Sequence, residues 1–84
     1  MHLSKVLKPL SDCSTGELFV IQELKLEGVM RRRLLDLGFV KGAEVSVLQR
    51  SPLGDPTAFR VSDTTVALRH EESSKILGEV LGGA

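Results

Sequence analysis

Tryptophan and tyrosine are absent from this chain, and Phe19, Phe39 and Phe59 are its only aromatic residues. Proteins that hold single-stranded nucleic acid stack bases on aromatic platforms, so the shortage argues against that activity. An excess of either charge is missing as well. Eleven basic residues meet eleven acidic ones, for a formal net charge of +0. A surface that wraps DNA or seeks polyanions needs a cationic surplus, so no nucleic-acid partner is expected. The single cysteine, Cys13, allows no intramolecular disulfide and suits a reducing cytosol. No apolar run approaches the roughly 18 residues of a membrane span, and no basic-then-apolar leader opens the chain. The expectation is a cytoplasmic protein without direct membrane insertion, drawn to the inner face of a membrane only by a partner.

Motifs of chemistry are equally scarce. The glycines at 38, 42 and 54 fit neither G-x-x-x-x-G-K-[ST] nor G-x-G-x-x-G, so no phosphate cradle is expected. His2, Cys13 and His70 lack the C-x-x-C or H-x-x-x-H spacing of metal ligands, and neither metal nor cofactor is expected. Cys13 has no neighbouring base to activate it and reads as a small turn residue. With no nameable nucleophile or acid–base pair, the chain is expected not to be an enzyme.

What is present specifies shape. The 84 residues suffice for one domain, with a core over about 5–80 and a frayed end at Leu81–Ala84. Leu3 to Leu10 is a short apolar-polar segment ended by Pro9, and Ser11 to Gly16 is turn chemistry. Glu17 to Lys25 predicts a central strand, because both of its faces are apolar. Gly28 to Leu37 predicts a helix whose buried stripe is Met30, Leu34 and Leu37, with Val29 at its margin. Arg32 and Asp36 are spaced to pair across one turn, a contact worth about 0.3–0.5 kcal/mol. Gly38 stands where a left-handed C-cap is wanted.

Beyond Gly42 the period changes to two. Val45 and Val47 share one face, Phe59 and Val61 resume the alternation after a loop at Arg50–Pro56, and Val66 and Leu68 continue it past a turn at Ser62–Thr64. Glu71 to Ser74 is one helical turn, and Lys75 to Val80 is a closing strand. About five short antiparallel strands with one or two short helices make a mainly β domain. A small closed or nearly closed barrel is the economical way to hide its edges.

The run Arg33-Leu34-Leu35-Asp36-Leu37-Gly38-Phe39-Val40-Lys41-Gly42-Ala43-Glu44-Val45 resembles the R-L-x-x-L-G-[hydrophobic]-x-x-G-x-x-V signature of the FeoA family. Pro52-Leu53-Gly54-Asp55-Pro56 is similar to that family's P-[hydrophobic]-G-D-P loop, and Ala67-Leu68-Arg69 with Glu71, Glu72 and Ile76 to its L-R-x-x-E-A-x-x-I ending. The resemblance implies an SH3-like barrel in a small cytosolic accessory protein of bacterial ferrous-iron uptake. It also implies a partner, the FeoB transporter, met at its cytosolic GTP-binding domain or its membrane part. The alternative is a free-standing relative of the SH3-like C-terminal domain of iron-dependent repressors, acting in metal-responsive regulation. The chain departs from the family pattern at Ser73 and Gly78. Both positions are assigned to the closing strand, and a glycine there predicts weak pairing, since strand glycines cost roughly 0.5–1 kcal/mol.

Candidate contact residues follow from what the core does not need. Successive helical residues diverge by about 100°, so Arg31, Arg32 and Arg33 cannot form one patch. Arg33 is expected to lay its stem along the barrel and reach a carbonyl or carboxylate, leaving Arg31 the freer. Leu53 tips a loop stiffened by Pro52 and Pro56, so Leu53, Gly54, Asp55 and Pro56 are expected to form a rigid protrusion. Leu35, opposite the buried stripe, is a second exposed apolar candidate. The expected assembly is a monomer or weak oligomer.

Overall fold

The computed structural model describes residues 7–82. Six antiparallel strands form one sheet in the order β1-β6-β2-β3-β4-β5: β1 (Lys8–Pro9), β2 (Leu18–Leu24), β3 (Glu44–Arg50), β4 (Thr57–Val61), β5 (Thr64–Leu68) and β6 (Ile76–Gly82). Helix α1 (Gly28–Leu37) joins β2 to β3, and the four-residue α2 (His70–Ser73) joins β5 to β6. A 3-10 turn at Leu10–Asp12 follows β1. The extra strand beyond the expected five is the two-residue β1, too short to show a period. The anticipated segment before it falls, up to residue 6, outside the described residues, as do His2 and residues 83–84.

Alternation builds the barrel's interior. Phe19, Val45 and Val61 stand opposite one another across β2, β3 and β4, and Val47 stands opposite Phe59. All five are buried. Because side chains alternate across a strand, this register gathers these five residues on one face. Irregularities between Ile21 and Glu23 in β2 and between Val47 and Gln49 in β3 each add a residue on one side of a ladder. Such bulges bend and twist strands, which lets a narrow sheet curl around its own core. β2 is central, flanked by β3 and β6.

Helix α1 supplies the lid. Leu34 is fully buried, and Met30 and Leu37 pack against the same core. The helix ends in a Schellman motif: the Gly38 N–H donates to the Leu35 carbonyl at 3.1 Å and the Phe39 N–H to the Leu34 carbonyl at 2.9 Å. Leu34 and Phe39, joined by the motif's longer-range bond, are both fully buried. Gly38 adopts φ 109°, and a Cβ there would sit 2.9 Å from the Ser62 hydroxyl in the β4–β5 turn. Gly38→Ala is therefore expected to destabilise by about 1–3 kcal/mol. Thermal unfolding should show a midpoint lowered by roughly 4 °C or more, and an unchanged midpoint would refute the assignment.

The strand expectations need three corrections. Ser73 ends α2, buried with its hydroxyl 3.4 Å from the Arg69 carbonyl, and is not part of the closing strand. The closing strand is not weakly paired: β6 bonds β2 from Leu24↔Ile76 to Leu18↔Gly82 and β1 on its other side. Gly78 is buried where β2 crosses closely, so an added Cβ would collide with the Val20 carbonyl and lie 2.8 Å from the Phe19 ring. Lastly, the closing strand runs to Gly82, two residues beyond the expected Val80.

Cys13 is a core residue and not merely a turn residue, at 1% exposure. Burial pushes its thiol pKa up, because the low-dielectric interior disfavours thiolate. A thiol that ionises more readily when unfolded binds more protons in the native state at high pH. Its contribution is intact below the ordinary thiol pKa of about 8.5 and is lost as pH rises above it. Thiol titration of the native protein at pH 8 should be slow until denaturant is added; fast labelling would contradict the burial.

Candidate partner-binding surface

The loop between β3 and β4 is held from several sides. The Ser51 N–H donates to the Pro56 carbonyl at 3.0 Å, the Gly54 N–H to the Ser51 carbonyl at 2.8 Å, and the Ser51 hydroxyl to the Asp55 carbonyl at 2.7 Å. Asp55 Oδ1 accepts the His70 N–H at 2.8 Å, tying the loop to the first turn of α2. At the loop's base Arg50 Nη2 donates to the Cys13 carbonyl at 2.9 Å. Gly54 adopts φ 91°, a left-handed conformation that glycine takes without a Cβ penalty. From this support Leu53 projects with 95% exposure.

An isolated apolar side chain on a surface is ordinary. One mounted on a loop closed by its own hydrogen bonds and stapled to a helix has little ordering left to do on binding. The space enclosed beneath the loop, among Cys13, Arg50, Asp55 and His70, is only ≈ 10 Å³. That is room for no more than about one water, so the loop does not cover a small-molecule pocket.

The second candidate area lies on α1. Val29, Arg31, Arg32 and Leu35 line a shallow open depression. Val29 is 86% exposed and does not border the buried stripe as expected. It shares its face with Arg32, Arg33 and Asp36 at i, i+3, i+4 and i+7, all exposed. That spacing was the signal that could have placed it outside. Leu35 is half-buried. Arg31, expected to be the freer arginine, donates from Nη1 to the Leu24 carbonyl at 3.2 Å. Arg32 forms no ion pair with Asp36 among the described residues and is the more available cation.

Arg33 takes the carboxylate alternative. Its Nη1 lies 3.3 Å from Oε2 of the buried Glu72, whose Oε1 accepts the Arg69 N–H at 2.9 Å. One carboxylate thus caps α2 and clamps it to α1, and a buried charge with both oxygens engaged avoids the cost of an unpaired one. Arg33 and Glu72 hold the scaffold together. Leu53, Gly54, Asp55 and Pro56 are brought together by the loop, with Asp55 turned towards α2, while Arg31 and Leu35 belong to the separate helical area. Among the described residues no three His, Cys, Asp or Glu side chains converge as metal ligands do, and no helix is long and apolar enough to cross a membrane.

A curled six-stranded sheet, a helical lid and a stiff loop carrying an exposed leucine define a small SH3-like β module. The FeoA domain model matches residues 8–80, and the chain belongs to the FeoA family. It is 42% identical over 72 residues to the Fe(2+) transport protein A/Fe(2+) transporter FeoB fusion protein of Porphyromonas gingivalis, a match covering 86% of this chain and 8% of that protein. It superposes with TM-score 0.70 on FeoA of Stenotrophomonas maltophilia, a prokaryotic SH3 domain protein in complex with zinc, at 33% identity over 84% of this chain and 88% of the other. A manganese-dependent transcriptional repressor gives TM-score 0.82 at 18% identity, covering 94% of this chain and 44% of that one. The last likeness concerns the fold alone.

Proposed function

We propose that this protein is an accessory component of ferrous-iron uptake, acting without chemistry of its own by binding the cytosolic part of a FeoB-type transporter. One observation carries the reading: in the Porphyromonas gingivalis relative a domain 42% identical to this chain is joined to FeoB in a single polypeptide. Fusion holds two modules at high effective concentration, which is of use when their contact matters. A separate chain must reach the same contact by affinity, through a surface formed in advance. The Leu53 loop is such a surface, and its base is ordered before any partner arrives. Regulation of the transporter would further require different affinities for two of its states.

On this reading the protein works in the cytoplasm, at the inner face of the membrane while its partner is bound. The repressor-like alternative rests on fold likeness at 18% identity and gains no support from the site. Titration of the isolated cytosolic GTP-binding domain into the labelled protein, with GDP or a GTP analogue, tests the leading reading. Amide shifts confined to residues 51–56, with or without the Val29–Leu35 face, are expected. Unperturbed spectra at millimolar concentration would exclude that domain as the direct partner.

A further inference from the structure

Among the described residues, no strand covers the outer edge of the sheet at β5. Strand edges are usually blunted by lysine, proline, a bulge or a covering segment, because their free N–H and C=O groups invite another strand. β5 reads Thr64-Thr65-Val66-Ala67-Leu68, without charge or proline, and its ladder with β4 has no irregularity. It has β4 on one side and, among the described residues, no strand on the other. The hairpin turn is two residues long, Ser62 and Asp63, both at positive φ (48° and 63°), so Val61↔Thr64 is the hydrogen-bonded closing pair. Parity then fixes the rest. Phe59↔Val66 and Thr57↔Leu68 are hydrogen-bonded within the hairpin, whereas Thr65 and Ala67 aim their N–H and C=O groups away from β4. Both residues are exposed.

We infer that this edge pairs with the same edge of a second copy of the chain, antiparallel about a two-fold axis through Val66, joining two sheets into one. The strand is self-complementary in that register. Thr65 falls opposite Ala67 of the second copy and Ala67 opposite its Thr65, so the groups left free in each copy become hydrogen-bonded pairs. Val66 meets its own counterpart as a non-hydrogen-bonded pair on the axis. The same register sets Asp63 at one end of the strand against Arg69 of the second copy, and symmetry repeats the match at the other end. Both residues are exposed, and neither forms an ion pair within its own chain among the described residues. An uncharged edge flanked by opposite charges thus selects itself in the antiparallel sense, whereas parallel pairing would place like charges together. This inference is independent of the transporter reading, which uses the loop and α1.

The test is sedimentation of the full chain across a concentration series, with Asp63→Lys, Arg69→Glu and the double exchange. Concentration-dependent dimerisation is expected. Each single variant should weaken it about tenfold or more through like-charge contact, and the double exchange should restore it to within roughly threefold. On the unaltered protein, isotope-filtered NMR of mixed labelled and unlabelled copies should show inter-chain contacts between Thr65 and Ala67. A monomer at every concentration up to about 1 mM, a dimer indifferent to the exchanges, or a dimer lacking those contacts would overturn the inference.

Discussion

Gly78→Ala is expected to destabilise this domain by about 3 kcal/mol or more, lowering the thermal midpoint by roughly 12–24 °C. The Cβ would be forced into the Val20 carbonyl and the Phe19 ring, the first a backbone atom in a bonded ladder and the second the centre of the core. Neither can withdraw without breaking the β2–β6 pairing that holds the sheet together. Gly82→Ala in the same strand is the control. Nothing lies within 4 Å of a Cβ there, so its midpoint should change little. Equal effects at the two sites would show that strand propensity, and not close approach, governs β6.

Leu53→Asp is expected to leave folding intact and to remove partner binding. At 95% exposure the side chain buries almost nothing in the free protein, so the midpoint should move by less than about 2 °C. Against the transporter's cytosolic domain the dissociation constant should rise roughly thirtyfold or more, as for loss of an anchoring residue worth about 2 kcal/mol. Titration calorimetry with both proteins would measure it. Undiminished affinity would move the contact to the Val29, Arg32 and Leu35 face of α1. The loop's neighbouring residues should behave differently. Asp55→Ala removes the acceptor of the His70 N–H, so its effect on affinity should come with measurable loosening of the loop.

These two positions also mark how far the sequence could be read. Leu53 was identifiable because an apolar residue between Pro52 and Gly54-Asp55-Pro56 has no periodic place in any strand. Gly78 was misjudged because the cost of a strand glycine is a local quantity, whereas its necessity depends on a neighbour nearly sixty positions away in sequence. Asp55 and Arg31 share that difficulty. Their hydrogen bonds to His70 and to Leu24 join segments whose proximity no spacing rule announces. Val29 differs, since its helical position beside Arg32, Arg33 and Asp36 already told against burial.

By itself the sequence determined the helix over Gly28–Leu37, its glycine stop, the alternating strands after Gly42 and the three motifs that place the chain in its family. These features arise from interactions between residues a few positions apart, where backbone sterics and side-chain periodicity act directly. Only the tertiary structure decided that Gly78 is required, that Glu72 clamps α2 to Arg33, that the Leu53 loop is stapled to His70, and that β5 ends the sheet among the described residues. Each of those depends on which distant segments the closing sheet brings into contact. That closure is driven by non-directional burial of Phe19, Phe39 and Phe59, which one-dimensional periodicity cannot resolve into particular neighbours.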